Sequence, residues 1–82
     1  MITGAQIRMA RAALRLGVRE LAALAEVAPM TISRLENGQS GGLADTLRKL
    51  QSTLETQGVI FVDENGEGPG VRLRKVRHEE KG

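Results

Sequence analysis

Glycine and proline cut the first 58 residues of this chain into pieces, and no piece is long enough for more than a short helix. Thr3 is a good N-cap, and the helix after it is expected to run to about Leu16, with Ile7, Ala10 and Leu14 on one face and Gly17 as its stop. VRELAALAEV repeats the pattern with Leu21, Leu24 and Ala25. Pro29 suits the first turn of a third helix, where its missing N–H costs nothing. In that helix Ile32 and Leu35 point inward, and Asn37-Gly38 ends it. GQSGG reads as a loop. A fourth helix is expected from Leu43 to about Gln57, because Leu43, Leu47, Leu50 and Leu54 form an apolar stripe that Gly58 closes.

The character changes after Gly58. VIFV is β-branched and aromatic, DENGEGPG is loop chemistry, and VRLRKV alternates Val71 and Leu73 with Arg72 and Arg74. Together they predict a β-hairpin with a long loop. GEGPG is not read as a phosphate-cradling loop, since no helix pattern follows Gly70. A lone hairpin is hardly stable in water, so this one needs the helical body, a second copy, or both.

Composition narrows the function classes. Among 82 residues Phe61 is the one aromatic, so the core must be built from Leu, Ile, Val, Ala and Met. A core so thin favours burial of further surface against a second copy. With no cysteine and one histidine, His78, there is no thiolate metal site, no cysteine nucleophile and no catalytic constellation. Neither an enzyme nor a cofactor or metal is therefore expected. Arg8, Arg11, Arg15 and Arg19 precede the first carboxylate, Glu20. An Ala/Arg-rich, acid-free start is similar to a transit peptide, but Gly17 interrupts it and a compact helical pattern follows. No apolar stretch approaches the ~20 residues of a membrane span. The expectation is a soluble, cytoplasmic protein with no membrane partner.

RELAALAE and PMTISRLE are two short helices joined by a tight turn around Val27-Ala28, which is helix-turn-helix spacing. In that motif the second helix enters the DNA major groove and its N-terminal residues reach base edges. Ile32 and Leu35 would hold the helix to the body, leaving Pro29, Met30, Ser33, Arg34 and Asn37 on the opposite face with Thr31 beside it. Arg8, Arg15 and Arg19 offer charge for phosphates, and Arg48 or Lys49 flank the site.

These residues also carry a family resemblance. LAALAEVAPMTISRLENG resembles the lambda-repressor/Cro-like (XRE) helix-turn-helix family of small transcriptional regulators. The likeness covers about residues 5 to 57 and is most specific in TISRLENG. Leu21, Ala22, Val27, Thr31, Ile32, Ser33, Leu35, Glu36 and Gly38 fall on the family pattern. The resemblance implies base contacts from Pro29, Met30 and Arg34, with polar help from Thr31 and Ser33. It adds Val18 and Asn37 to Arg8, Arg15 and Arg19 as phosphate contacts. It also implies a structural pair between Arg11, late in the first helix, and Glu36, at the end of the recognition helix. The chain departs from the pattern at Glu26, where the family has glycine, and at Ala28, where it has a Ser or Thr cap. The family's usual Ser-Gln at the start of the second helix is Gly17-Val18, so a phosphate contact there would use backbone N–H groups.

The fold class expected is mainly α: a four-helix, lambda-repressor-like helix-turn-helix body followed by a C-terminal β-hairpin. Residues 1–57 would be the DNA-binding domain, 58–76 a dimerisation hairpin using Val59, Ile60, Phe61, Val62, Val71 and Leu73, and 77–82 a disordered tail. The expected function is sequence-specific binding of a double-stranded DNA operator by a homodimer, most simply a repressor reading an inverted repeat. The alternative is an antitoxin-like or anti-activator module that binds a protein partner through its C-terminal hairpin.

Overall fold

Thr3 opens α1 (Gly4–Leu14) with a reciprocal cap. Its Oγ1 accepts from the Gln6 N–H at 3.1 Å, and the Gln6 Oε1 accepts from the Thr3 N–H at 2.9 Å. The helix ends earlier than expected and for a different reason. Arg15 adopts a left-handed conformation (φ 60°), which turns the Leu16 N–H back to the Arg11 carbonyl at 2.9 Å. Gly17, expected to stop α1, is instead the extended N-cap residue of α2 (Val18–Ala25). Glu26, also left-handed (φ 60°), closes α2. Then α3 (Pro29–Glu36) begins with proline in its first turn and no side-chain cap.

Further along are α4 (Ala44–Thr56), β1 (Val59–Val62) and β2 (Gly70–Leu73). The computed structural model describes residues 1–39 and 44–75; Leu43, Val76 and the tail at 77–82 lie outside the described residues. The architecture is the mainly α one expected, a four-helix body followed by an antiparallel hairpin. The strands pair Val59 with Leu73, Ile60 with Arg72, Phe61 with Val71, and Val62 with Gly70. In the connecting loop Glu64 Oε2 accepts from the N–H groups of Gly66 and Gly68 at 2.8 and 3.0 Å. Both glycines hold left-handed φ values (103° and 94°) that a residue with a Cβ would resist.

All four helices and the hairpin meet in one aliphatic core. Ile7, Leu21, Ile32, Leu50, Leu54 and Val59 are completely buried, with Ile2, Ala10, Ala22, Ala25 and Leu35 around them. Leu14, Leu47, Phe61 and Val71 pack against this cluster half-buried. Leu24, expected inside, is 48% exposed. The buried stripe of α2 runs through Leu21, Ala22 and Ala25, and one residue's rotation puts Leu24 on the flank beside α4.

Gln6 is a core residue that the apolar pattern does not reveal. It is 2% exposed, and its Nε2 donates to the carbonyls of Val62 and Gly70 at 3.1 and 2.9 Å. One amide thus ties the capped start of α1 to the loop end of the hairpin. At the other end, Leu14 shares a cavity wall with Leu73 and Arg74. The hairpin therefore lies lengthwise along α1.

Candidate nucleic-acid interface

The recognition-helix candidate divides cleanly into two faces. Ile32 is wholly buried and Leu35 is 8% exposed, seated in the core. On the other side Pro29, Arg34 and Asn37 are exposed and Met30 is 60% exposed, with Thr31 and Ser33 half-buried between the faces. An exposed methionine on an eight-residue helix gains nothing from folding, and neither does an arginine without a partner. Among the described residues, Arg34 forms no ion pair and no side-chain hydrogen bond. Five potential donors of a planar fork are left pointing away from the protein.

Two arginines of α1 anchor the far end of α3. Arg11 donates from Nε to Glu36 Oε2 at 2.8 Å and from Nη2 to Oε1 at 2.9 Å, a two-pronged pair with Glu36 only 5% exposed. Its Nη1 also donates to the Leu16 carbonyl at 3.0 Å, so one side chain joins α1, the α1–α2 turn and α3. The hydrogen bonds it donates to Glu36 hold the Arg11 guanidinium above its ordinary value against the opposing pull of burial. Arg8 donates to the Glu36 carbonyl at 3.1 Å and to Asn37 Oδ1 at 3.2 Å. Arg8 and Asn37, both assigned to phosphate from the sequence, are thus bound to each other at the C-terminal end of α3. The contact caps that end with positive charge, where the helix dipole favours it. More than half of the Arg8 side chain stays exposed.

At the start of α2 one of the two backbone donors is already taken. Glu20 Oε1 accepts from the Gly17 N–H at 2.7 Å, so that backbone donor is already used and a carboxylate stands beside it. Val18, half-buried, retains its own N–H at the helix start. Arg15 and Arg19 are exposed, and Arg19 lines an open groove with Ala22, Ala23, Glu26, Val27 and Pro29. That groove brings Arg19 beside the first turn of α3. Arg48 is committed to Asp45, while Lys49 sits with Leu24 and Glu26 in a second groove between α2 and α4.

The hairpin residues assigned to dimerisation separate in the structure. Val59 is fully buried in the chain's own core, with Phe61 and Val71 packed against that cluster, so Val59 has no side-chain surface for a partner. Ile60 (36%) and Leu73 (51%) remain exposed, with Val62 between. A scan against protein-family models finds no match to this chain, and a search of curated proteins finds none either. Among the described residues no group of three or more His, Cys, Asp or Glu converges to hold a metal ion. No described helix is long and apolar enough to cross a membrane.

Proposed function

We propose that this chain is a sequence-specific double-stranded DNA-binding protein of the lambda-repressor/Cro-like helix-turn-helix kind, acting in the cytoplasm as a homodimeric transcriptional regulator. The observation that carries the reading is the outward face of α3. Pro29, Met30 and Arg34, the last without a partner among the described residues, are exposed on a helix whose opposite face is locked into the core. Arg34 is the base-reading residue, its fork suited to guanine O6 and N7, while Met30 and Pro29 pack on thymine methyls or sugars. Thr31 and Ser33 add polar contacts at the groove edge. Arg15, Arg19, the free edge of Arg8, the Val18 N–H and the Asn37 amide supply phosphate contacts. Two copies related by a two-fold axis would set their α3 helices in successive major grooves about 34 Å apart. Repression follows where the operator overlaps a promoter. No chemistry is involved, and neither cofactor nor metal is required.

One observation favours a second reading. Glu20 occupies the Gly17 N–H and places negative charge where a phosphate would sit. Weak anchoring there suits an antitoxin-like or anti-activator module that binds a protein through the hairpin. Selection from a random duplex library at about 150 mM salt separates the two, because non-specific phosphate attraction is largely suppressed there. Enrichment of an inverted repeat with half-site centres about ten base pairs apart supports the operator reader. Folded protein that enriches no sequence leaves the partner-binding module in its place.

A further inference from the structure

Met30 is the most exposed large apolar side chain in any described helix or strand, 60% open to solvent on the outer face of α3. It occupies the second position of that helix, one turn before Arg34, which has no ion pair or side-chain hydrogen bond among the described residues. Residues at this spacing lie one above the other on one helix face. Four residues advance an α-helix by about 6 Å, and stacked bases are about 3.4 Å apart, so Met30 and Arg34 stand about two base pairs apart along a groove. Their chemistry differs. Arg34 offers donors in a fixed fork, whereas the Met30 thioether has no donor and is at most a weak acceptor. No Asn or Gln, the residues that grip adenine with two hydrogen bonds, occurs in α3. Met30 therefore senses shape and apolar surface, with three rotatable bonds to fit them.

We infer, on the operator-binding reading proposed above, that Met30 reads the 5-methyl group of a pyrimidine about two base pairs from the guanine held by Arg34. It accepts thymine and 5-methylcytosine alike. In the major groove thymine presents the O4 acceptor beside its methyl group, whereas cytosine presents the N4 amino donor. A side chain able to hydrogen-bond would tell these apart. Met30 meets only the methyl group, which 5-methylcytosine carries at the same ring position. Unmethylated cytosine offers a bare C5–H there and leaves part of the Met30 side chain uncovered. A cytosine at this position is therefore bound more tightly when it carries a 5-methyl group, and operator affinity follows the methylation state of the DNA. Thr31 is half-buried, and Pro29 lines the groove shared with Arg19 and Val27, which leaves Met30 as the projecting apolar group of this face.

The test uses the full chain and the operator enriched from the duplex library, with the Arg34-dependent guanine located by Arg34→Ala. That operator should carry thymine about two base pairs from this guanine. Anisotropy titrations at about 150 mM salt compare duplexes with thymine, deoxyuridine, cytosine or 5-methylcytosine at that position, each opposite its complement. Deoxyuridine differs from thymidine only in lacking the methyl group. Thymine and 5-methylcytosine should bind equally, each about fourfold tighter per half-site than deoxyuridine or cytosine, the worth of one buried methyl group. Met30→Ala should bring all four within about twofold of one another. Met30→Gln should separate thymine from 5-methylcytosine, because an amide distinguishes O4 from N4. Circular dichroism melting checks that each variant folds; Met30 is outside the core, so neither change should disturb it. Equal affinity for thymine and deoxyuridine overturns methyl reading while leaving the operator reading intact. A methyl preference that survives Met30→Ala belongs to another residue and overturns the role of Met30. An enriched operator with no thymine near that guanine does the same. A library that enriches no sequence overturns the operator reading and this inference with it.

Discussion

Glu26 ends α2 with φ 60°, a conformation that costs a residue with a Cβ about 1–2 kcal/mol. The resembled family carries glycine at this position, and the backbone here shows why glycine suits it. Glu26→Gly should therefore raise stability by roughly 0.5–1 kcal/mol, the relief of strain exceeding the added chain entropy. A chemical-denaturation midpoint that falls instead would mean Glu26 makes a compensating contact. Arg34 is the opposite kind of residue, with no structural partner among the described residues. Arg34→Ala should leave the melting temperature nearly unchanged and cost about 1–3 kcal/mol of binding to the selected operator. Equal loss on random duplex would reduce its role to a phosphate contact. Val18 and Arg19 differ from both, because any phosphate contact there would have to overcome repulsion from the neighbouring Glu20.

At the scale of elements, the position of α3 is set by α1. A Cβ at Gly4 would overlap the Leu35 carbonyl oxygen, so α1 crosses the end of α3 at backbone contact. Alanine is the better helix former in isolation. Here Gly4→Ala should nonetheless destabilise by about 2 kcal/mol, because the obstacle is backbone that cannot rotate aside. A thermal melt unchanged from wild type would show that the crossing can open at little cost. Arg11 and Glu36 fasten the same two helices from the other side of the contact. Glu36→Ala should cost about 2 kcal/mol, less than a fully buried pair, because Arg11 is 22% exposed and water can take up part of its charge. An unaltered denaturation midpoint would dismiss the pair as a stabilising link. Since α1 also carries Gln6, which holds the hairpin, this one helix positions both α3 and the hairpin.

For the whole molecule, the thin aliphatic core is the governing fact. Among the described residues, three of its eleven buried apolar side chains are alanines, and Phe61 only half enters it. If the chain dimerises as proposed, a second copy covering Leu73 would add apolar burial that this core lacks. Leu73→Asp should convert a dimer to a monomer in sedimentation equilibrium without unfolding the helices, because the side chain is already half in solvent. A mutant that stays dimeric would move the interface off the hairpin. If dimerisation sets the spacing of two α3 helices, the same variant should lose affinity for a two-half-site operator more than for a single half-site.

Spacing along the chain was enough to locate four helices, the Thr3 cap, Pro29 at the head of α3, and the division of α3 into a buried and an exposed face. Each depends on groups three or four residues apart, which neighbouring side chains settle among themselves. The hairpin was legible from alternation and loop residues for the same reason. Tertiary contact decided the rest. Gln6 is a latch because carbonyls 56 and 64 residues away come to meet its amide, and polarity alone gives no hint of that. Val59 and Leu24 exchanged the roles their hydrophobicity suggested, since burial depends on which neighbour lies opposite. Arg15 ends α1 in place of Gly17, because returning the chain towards α2 was worth a strained arginine. The Gly17 N–H, by contrast, is taken locally by Glu20, three residues along the chain. Local geometry is written in short-range spacing; which surfaces stay open is settled by contacts between residues far apart in the chain.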